Sequence, residues 1–377
     1  MAGVSAPTVI IGGSAAGLAV ARCLEELGQA AVVLEAADEP GAQWRGAYER
    51  LHLHTPRDRS GLPFGPMPAT YPRYPTRLQV IAYLKDYAAR LGHAPRYGTR
   101  VQSVRRDGDH WLTTTSSGEF VSPNVVFATG NASIPVMPQL AGVERFGGPI
   151  LHSSQYRSGV AFRGERVLVV GFGNSAAEIA IDLSEQGAQP VLSVRGGVNV
   201  IPREVLGIPI VNLGLVQKLF PPAVADVLNG VLCRIVLGDI ERLGLKRLPY
   251  GPAVEVREHH RIPVIDVGTL ALIRSGAIAV RPGIARLEPG SVVFDDGRQE
   301  PVAAIVLGTG YRTGLEALLG EAPDLLDRSG GPLSSGEASA APGLYFCGYR
   351  VVAGGTLRQI GVEARRIAGL IAATPER

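Results

Sequence analysis

Cysteine is scarce in this 377-residue chain: Cys23, Cys233 and Cys347 lie far apart and form no CxxC pair. An odd, scattered set excludes a disulfide framework, a dithiol redox centre and a cysteine zinc site, and it fits a reducing cytoplasm. Lysine is scarcer than arginine. Lys85, Lys218 and Lys246 are the only lysines among 37 basic residues, a bias expected of a GC-rich bacterial coding sequence. The basic side chains form no run and rarely interleave with aromatics, so nucleic acid is not an expected partner. Long apolar runs are also missing. The most apolar later stretch, Val205–Gln217, is shorter than a membrane span and contains Pro209. Met1–Pro7 brings no basic region ahead of Thr8–Ile11, so no signal peptide is expected and the cytoplasm is the expected location. Glu258, His259 and His260 are consecutive. Helix or strand spacing cannot turn all three to one metal, so they read as a solvated loop, and no metal site is expected.

What is present is a globular composition, with 46% hydrophobic and 19% charged residues, a net charge of +3 and 48 glycines. The length points to two domains. Many glycines fall where a strand pattern gives way to a helix pattern. Thr8–Ile11 reads as a short buried strand. Gly12-Gly13-Ser14-Ala15-Ala16-Gly17 follows, then a helical pattern over Leu18–Leu27 stopped by Gly28, then a strand over Ala31–Leu34 ending at Glu35. The spacing has a chemical purpose. Gly12 permits a tight turn, the amides of Ala15–Gly17 face a pyrophosphate, and Gly17 lets helix and strand approach closely. Glu35 then accepts hydrogen bonds from an adenosine ribose. Ser14 replaces the middle glycine of the usual pattern, but it is small enough for the backbone to reach phosphates.

A second βαβ unit starts at the strand Arg166–Val170. It continues through Gly171-Phe172-Gly173-Asn174-Ser175-Ala176, a helix over Ala176–Gln186 and a strand over Pro190–Val194, and ends at Arg195. Two such units in one chain are far more specific than one. The third glycine is here Ala176, and the acid at the strand end is replaced by Arg195. An arginine pairs with a 2′-phosphate where a carboxylate would favour a free 2′-hydroxyl, which points to NADPH. The alternative is a solvated strand-end charge. The fold class expected is therefore α/β, with two Rossmann-like dinucleotide-binding domains.

Between the units, Phe146-Gly147-Gly148-Pro149-Ile150-Leu151-His152-Ser153-Ser154-Gln155-Tyr156 fits FxGxxxHxxxY, the identifying sequence of class B flavin monooxygenases. Tyr48-Glu49-Arg50-Leu51-His52-Leu53-His54, Phe127-Ala128-Thr129-Gly130 and Val167–Leu183 resemble the YUCCA flavin monooxygenases. So do Pro202–Gly207, Glu241–Leu245 and Pro263–Gly268. Nearly the whole chain shares the resemblance. It implies FAD in the first unit, over residues 1–160 and 310–377. It implies NADPH in the second, inserted at 161–309 with a helical insert at about 205–250 that Pro221 and Pro222 interrupt. That insert reads equally as a wall of the substrate pocket, a homodimer surface or a buried helical pair.

The activity implied is that of an NADPH- and O2-dependent flavin monooxygenase forming a C4a-(hydro)peroxyflavin. Its substrate would be an aryl 2-oxo acid such as indole-3-pyruvate or phenylpyruvate, which it decarboxylates oxidatively. The alternatives are N- or S-oxygenation of a small molecule in bacterial secondary metabolism, and a non-catalytic flavin-binding redox sensor. No Ser-His-Asp set appears, consistent with cofactors carrying the hard chemistry. The resemblance extends the FAD contacts to Ala36, Gln43, Trp44, Arg45 and His54, and further to Thr129, Gly130, Gly310, Gly348 and Leu357. Trp44 either covers the flavin or fills the core. The family's two linking strand ends correspond to Phe127–Gly130 and Leu307–Tyr311, with Gly308 where alanine is usual. His152 is expected to be structural, helping to place NADP. The donor near the flavin is left among His54, Asn131 and other residues of Trp44–Arg57. Arg358 is either the cation for a substrate carboxylate or a helix-surface arginine.

Overall fold

The computed structural model describes residues 4–212, 221–320 and 322–374. β1 (Thr8–Ile11) is buried along its whole length, as a central parallel strand must be. α1 (Ala15–Glu25) follows it, and β2 (Val32–Leu34) returns parallel to β1. The helix starts three residues before the apolar periodicity does, because its first turn is built of small residues. α2 (Arg77–Ala89) begins with a reciprocal capping box between Thr76 and Gln79. β3 (Val101–Asp107), β4 (His110–Thr115) and β5 (Gly118–Ser122) form an antiparallel meander, and β6 (Asn124–Phe127) then pairs with the free side of β1.

The chain now moves to a second sheet with the same plan. β7 (Ile150–His152) lies at its edge, and β8 (Arg166–Val170), α3 (Asn174–Glu185) and β9 (Gln189–Ser193) repeat the β1–α1–β2 unit. After α4 (Pro222–Leu237) come β10 (Ala279–Arg281) and a second meander of β11 (Ile284–Glu288), β12 (Ser291–Phe294) and β13 (Gln299–Pro301). β14 (Ala304–Leu307) completes a parallel sheet of order β10-β9-β8-β14-β7. Only then does the chain return, as β15 (Leu344–Phe346) and α5 (Thr356–Ala372), closing the first sheet in the order β15-β6-β1-β2. In each unit helices cover one face of the sheet and the meander covers the other, giving separate apolar cores on the two faces. All three cysteines are free and buried.

Two features bear on the expected division. Ile150–His152, assigned from sequence to the first domain, pairs with Ile305–Leu307 in the second sheet. The insert expected at about 205–250 opens on a strand pair. Glu204–Val205 and Ile208–Pro209 form an antiparallel hairpin turning at Leu206 (φ 50°) and Gly207 (φ 77°), and residues 213–220 lie outside the described set. Pro221 is the N-cap of α4 and Pro222 its first residue, positions where a missing N–H costs nothing. One side of α4 buries Ala225, Asn229, Cys233 and Leu237, while Val227, Val231 and Ile235 are exposed.

The two nucleotide turns are built alike. Gly12 (φ 112°) and Gly171 (φ 103°) each occupy backbone that L-residues avoid. A Cβ on Gly12 would lie 2.6 Å from the carbonyl oxygen of Ala128, and one on Gly171 would lie 2.7 Å from that of Gly308. Each turn is thus pressed against the strand end that leaves its sheet. At the third position the units differ. A Cβ on Gly17 would meet the Gly12 oxygen at 1.8 Å, whereas Ala176 keeps its methyl group because Gly308 makes room: a Cβ on Gly308 would sit 2.6 Å from Ala176 Cβ. The Gly308 departure is therefore the partner of Ala176.

The links between units cross as a short antiparallel pair, with Tyr311 opposite Pro135 and Arg312 opposite Ile134. His152 locks the crossing. Its Nε2 donates to the Gly310 carbonyl at 3.0 Å, its Nδ1 accepts the Ser154 amide at 3.1 Å, and its ring stands edge-on to Tyr311. Tyr156 of the same motif donates to Asp182 on α3 at 2.5 Å. The structural reading of His152 stands on this geometry. Burial pushes its pKa below the ordinary histidine range, outweighing the Gly310 carbonyl, which favours the charged ring.

Two predictions follow from the packing. Gly308→Ala should cost about 1–3 kcal/mol by overpacking, and adding Ala176→Gly should recover part of it. Urea denaturation of the four-member cycle checks this, and strictly additive effects would refute the pairing. For His152, the unfolded chain binds a proton that the folded chain resists, so stability falls as pH drops below about 6.5. Thermal melts from pH 7.5 to 5.5 should show that loss, and His152→Gln should make it shallower.

Candidate active site

An α-helix leaves its first N–H groups without partners. α2 satisfies them with its capping box. α1, α3 and α5 begin instead at Ser14, Gly173 and Gly355, and none has a side-chain cap. All three starts open onto one cavity of about 2080 Å³, lined there by Ser14, Ala15 and Ala16, by Asn174 and Ser175, and by Gly355, Thr356 and Leu357. That volume is roughly twice or more that of an ordinary small-molecule site. Uncapped helix starts are anion sites by construction. With two glycine turns that admit no Cβ, the residues fit two dinucleotides, one at each turn.

At the first turn, Glu35 sits at the cavity wall and accepts the Gly13 amide at 2.6 Å and the Ala37 amide at 2.8 Å. A carboxylate has acceptor capacity beyond these two bonds, so it can also hold ribose hydroxyls. Ala36, Gln43, Trp44, Thr129, Gly130, Asn131 and Gly348 line the same cavity. Asn131 Nδ2 donates to the Tyr349 carbonyl at 3.2 Å, Thr129 shares a 2.7 Å hydrogen bond with the Tyr349 hydroxyl, and Gln43 donates to the Ala132 carbonyl. Buried Glu363 of α5 holds the loop at Gly348 by accepting its amide at 2.7 Å. Trp44 takes both roles weighed for it, since it lines the cavity and packs on the core under α1.

Of the expected positions, Gly13, Gly17, Arg45, Gly171, Gly173, Ala176, Arg195, Gly310 and Arg358 are not among the residues lining the cavity. Arg45 turns away to Asp38 and Glu39, at 3.1 Å from each, because those acids precede it on the same turn. Arg358, in the first turn of α5, is not among the lining residues, although Leu357 and Ile360 are. Gly310 carries the His152 contact and lines no part of it. In the second unit Gly171, Gly173 and Ala176 shape the turn, and Arg195 lies exposed at the end of β9. Asn174 is fixed by accepting the Ile265 amide at 2.7 Å.

Sequence reasoning missed Glu178. It lies one turn into α3, is 2% exposed, and lines the cavity. Its Oε1 accepts His54 Nε2 at 2.6 Å and the Tyr48 hydroxyl at 3.1 Å, while Arg50 approaches Oε2 at 3.8 Å. His54 and Tyr48 come from the first unit, so this carboxylate joins the two. The signal available was an acidic residue on the buried side of a helix. The far wall is apolar, with Ile201, Ile210, Val211, Val256 and Ile265, and Arg257 and His260 also reach the cavity. Glu258, His259 and His260 are exposed, as a solvated loop requires, and the described residues hold no group of three or more metal-ligating side chains.

Residues 6–318 match the family described as flavin-binding monooxygenase-like. The chain is 38% identical over 378 residues to the indole-3-pyruvate monooxygenase YUCCA6 of Arabidopsis thaliana, covering 96% of this chain and 88% of that protein. It is 38% identical over 327 residues to the indole-3-pyruvate monooxygenase YUCCA1 of Oryza sativa subsp. japonica, covering 85% and 80%. A solved flavin-containing monooxygenase from Stenotrophomonas maltophilia superposes with a TM-score of 0.74 at 26% identity, covering 98% of this chain and 99% of that one. With both nucleotide turns in place and the match spanning most of its length, the chain belongs to the flavin-binding monooxygenase-like family and is a YUCCA-like, FAD- and NADPH-dependent monooxygenase.

Proposed function

We propose that the enzyme oxidatively decarboxylates an aryl 2-oxo acid, with indole-3-pyruvate and phenylpyruvate as the substrates to try first. The observation that carries this is 38% identity, over nearly the full chain, to a protein named for indole-3-pyruvate. The balance is one 2-oxo acid, O2, NADPH and a proton going to the shorter carboxylate, CO2, water and NADP+. Bound FAD supplies the activation of oxygen. The chain's part is to bind, orient and keep water out. Amides at Ser14–Ala16 and the Glu35 carboxylate hold the FAD pyrophosphate and ribose. Amides at Asn174–Ser175 and the Arg195 guanidinium hold NADPH. The aliphatic wall of Ile201, Ile210, Val211 and Val256 receives the aryl group, and Arg257, which lines the cavity with that wall, is the cation proposed for the substrate carboxylate.

No described helix is long and apolar enough to cross a membrane. Work in the cytoplasm, and pairing into a homodimer through the outer side of α4, belong to the same proposal.

Incubating the protein with NADPH, O2 and either 2-oxo acid should yield the shorter acid and CO2 in equal amounts. N- or S-oxides from amines or thioethers, with no acid from either substrate, would replace this reading with heteroatom oxygenation. Negligible NADPH oxidation with every substrate would replace it with a redox sensor. Arg195→Ala should raise the NADPH dissociation constant roughly tenfold or more by removing a charge-assisted contact and leave that for NADH unchanged. Equal weakening of both would remove Arg195 from the 2′-phosphate site.

A further inference from the structure

Glu178 serves neither of the glycine turns, and it is the only buried carboxylate on the described residues that hydrogen-bonds side chains of the other unit at the cavity wall. A carboxylate removed from water needs compensation. Here every compensating donor comes from the segment Tyr48–His54. Tyr48 is itself buried and stays an O–H donor, because burial and the nearby Glu178 charge both push its pKa well above the usual tyrosine value. Arg50 spans the helix, binding Glu185 with two hydrogen bonds of 2.8 and 2.9 Å while facing Glu178. The segment that carries His54 continues into Thr55, against which Gly355 packs at the uncapped start of α5.

An ionised carboxylate can only accept hydrogen bonds, so the ring nitrogen 2.6 Å from Glu178 Oε1, His54 Nε2, must carry a hydrogen. In the neutral ring Nδ1 is then bare. We propose that Glu178 is a positioning residue which fixes this tautomer, so that His54 Nδ1 serves as the proton store of the cavity wall.

The inference rests on the 2-oxo acid reading, and its chemistry is a proton balance. Oxygen that adds to a keto carbon must do so as an anion, and oxygen released as water must leave protonated. His54 Nδ1 takes one proton for the first event and returns it in the second, with no change of oxidation state at the ring. An acceptor orienting a base from behind is a recurrent arrangement wherever one ring nitrogen must be kept free. The carboxylate also arrives on the coenzyme-binding helix, so the store is assembled only when the two units are docked.

The first test is spectroscopic. Seven histidines give seven ring systems in a nitrogen-15 spectrum of the purified holoenzyme, and His54→Asn identifies one of them. Wild type should show His54 with protonated Nε2 and bare Nδ1, and Glu178→Gln should lose that fixed preference. A protonated Nδ1 with bare Nε2 in wild type would overturn the inference. The second test separates positioning from docking. In Glu178→Gln holoenzyme, anaerobic flavin reduction by NADPH should stay within about twofold of wild type. Acid formed per NADPH should fall at least about tenfold, with the KM for the 2-oxo acid nearly unchanged. Tyr48→Phe, which keeps the carboxylate and His54, should lose far less. Slowed flavin reduction in step with lost product would make Glu178 a docking residue only and overturn the proposal. If wild type makes no acid from any 2-oxo acid, the substrate reading fails, while the spectra still decide the tautomer.

Discussion

The structure depends on helix starts that are left unfinished. Backbone N–H groups at three of them meet no side chain, which in an ordinary domain would be a defect. Here each opens onto the same cavity, and the energy forgone at the caps becomes available to phosphate and to reduced flavin. This arrangement forces much else. The turns ahead of α1 and α3 must be tight enough to need glycine, the strands behind them must be fully buried, and the strand ends must press on the turns. The meanders then cover the sheet faces that the helices leave open.

Because two such units must face each other across one cavity, their mutual orientation matters as much as their internal build. Polar contacts help to set it, beside the packing of Tyr48 and Leu51 of the first unit on the apolar core of the second. His152 and the crossing link strands fix one side of the junction. Glu178 and Glu185 of α3 fix the other by binding His54, Tyr48 and Arg50. A third contact joins the hairpin at Glu204 to Arg73 and Tyr74, at 2.9 and 2.6 Å. Directional bonds of this kind hold a geometry that a slippery aliphatic interface would not.

The two βαβ units were legible in the sequence because their demands are local: a buried β-branched run, glycine at the turn, and a charge of chosen sign at the second strand end. The motif at Phe146–Tyr156 was legible as a link for the same reason. What stayed hidden depends on distant partners. Nothing in Gly308 read alone says that it answers Ala176, 132 positions upstream. Glu178 looks like any helical glutamate until His54 is brought to it. The pairing of Arg45 with Asp38 and Glu39 is likewise silent in the sequence. So is the left-handed Leu206-Gly207 turn that folds an apolar stretch into a hairpin, because composition does not record handedness.

The buried cysteines carry a consequence for an enzyme that handles oxygen. Peroxide attacks thiolates, not thiols. Burial pushes the thiols of Cys23 and Cys233 up to about 11 and that of Cys347 well above its usual value. At neutral pH almost none of the three is ionised, and all are screened from solvent. Oxidising equivalents that escape the flavin therefore find almost no thiolate among the three cysteines of the protein that releases them, and oxidation at cysteine is held off by packing alone.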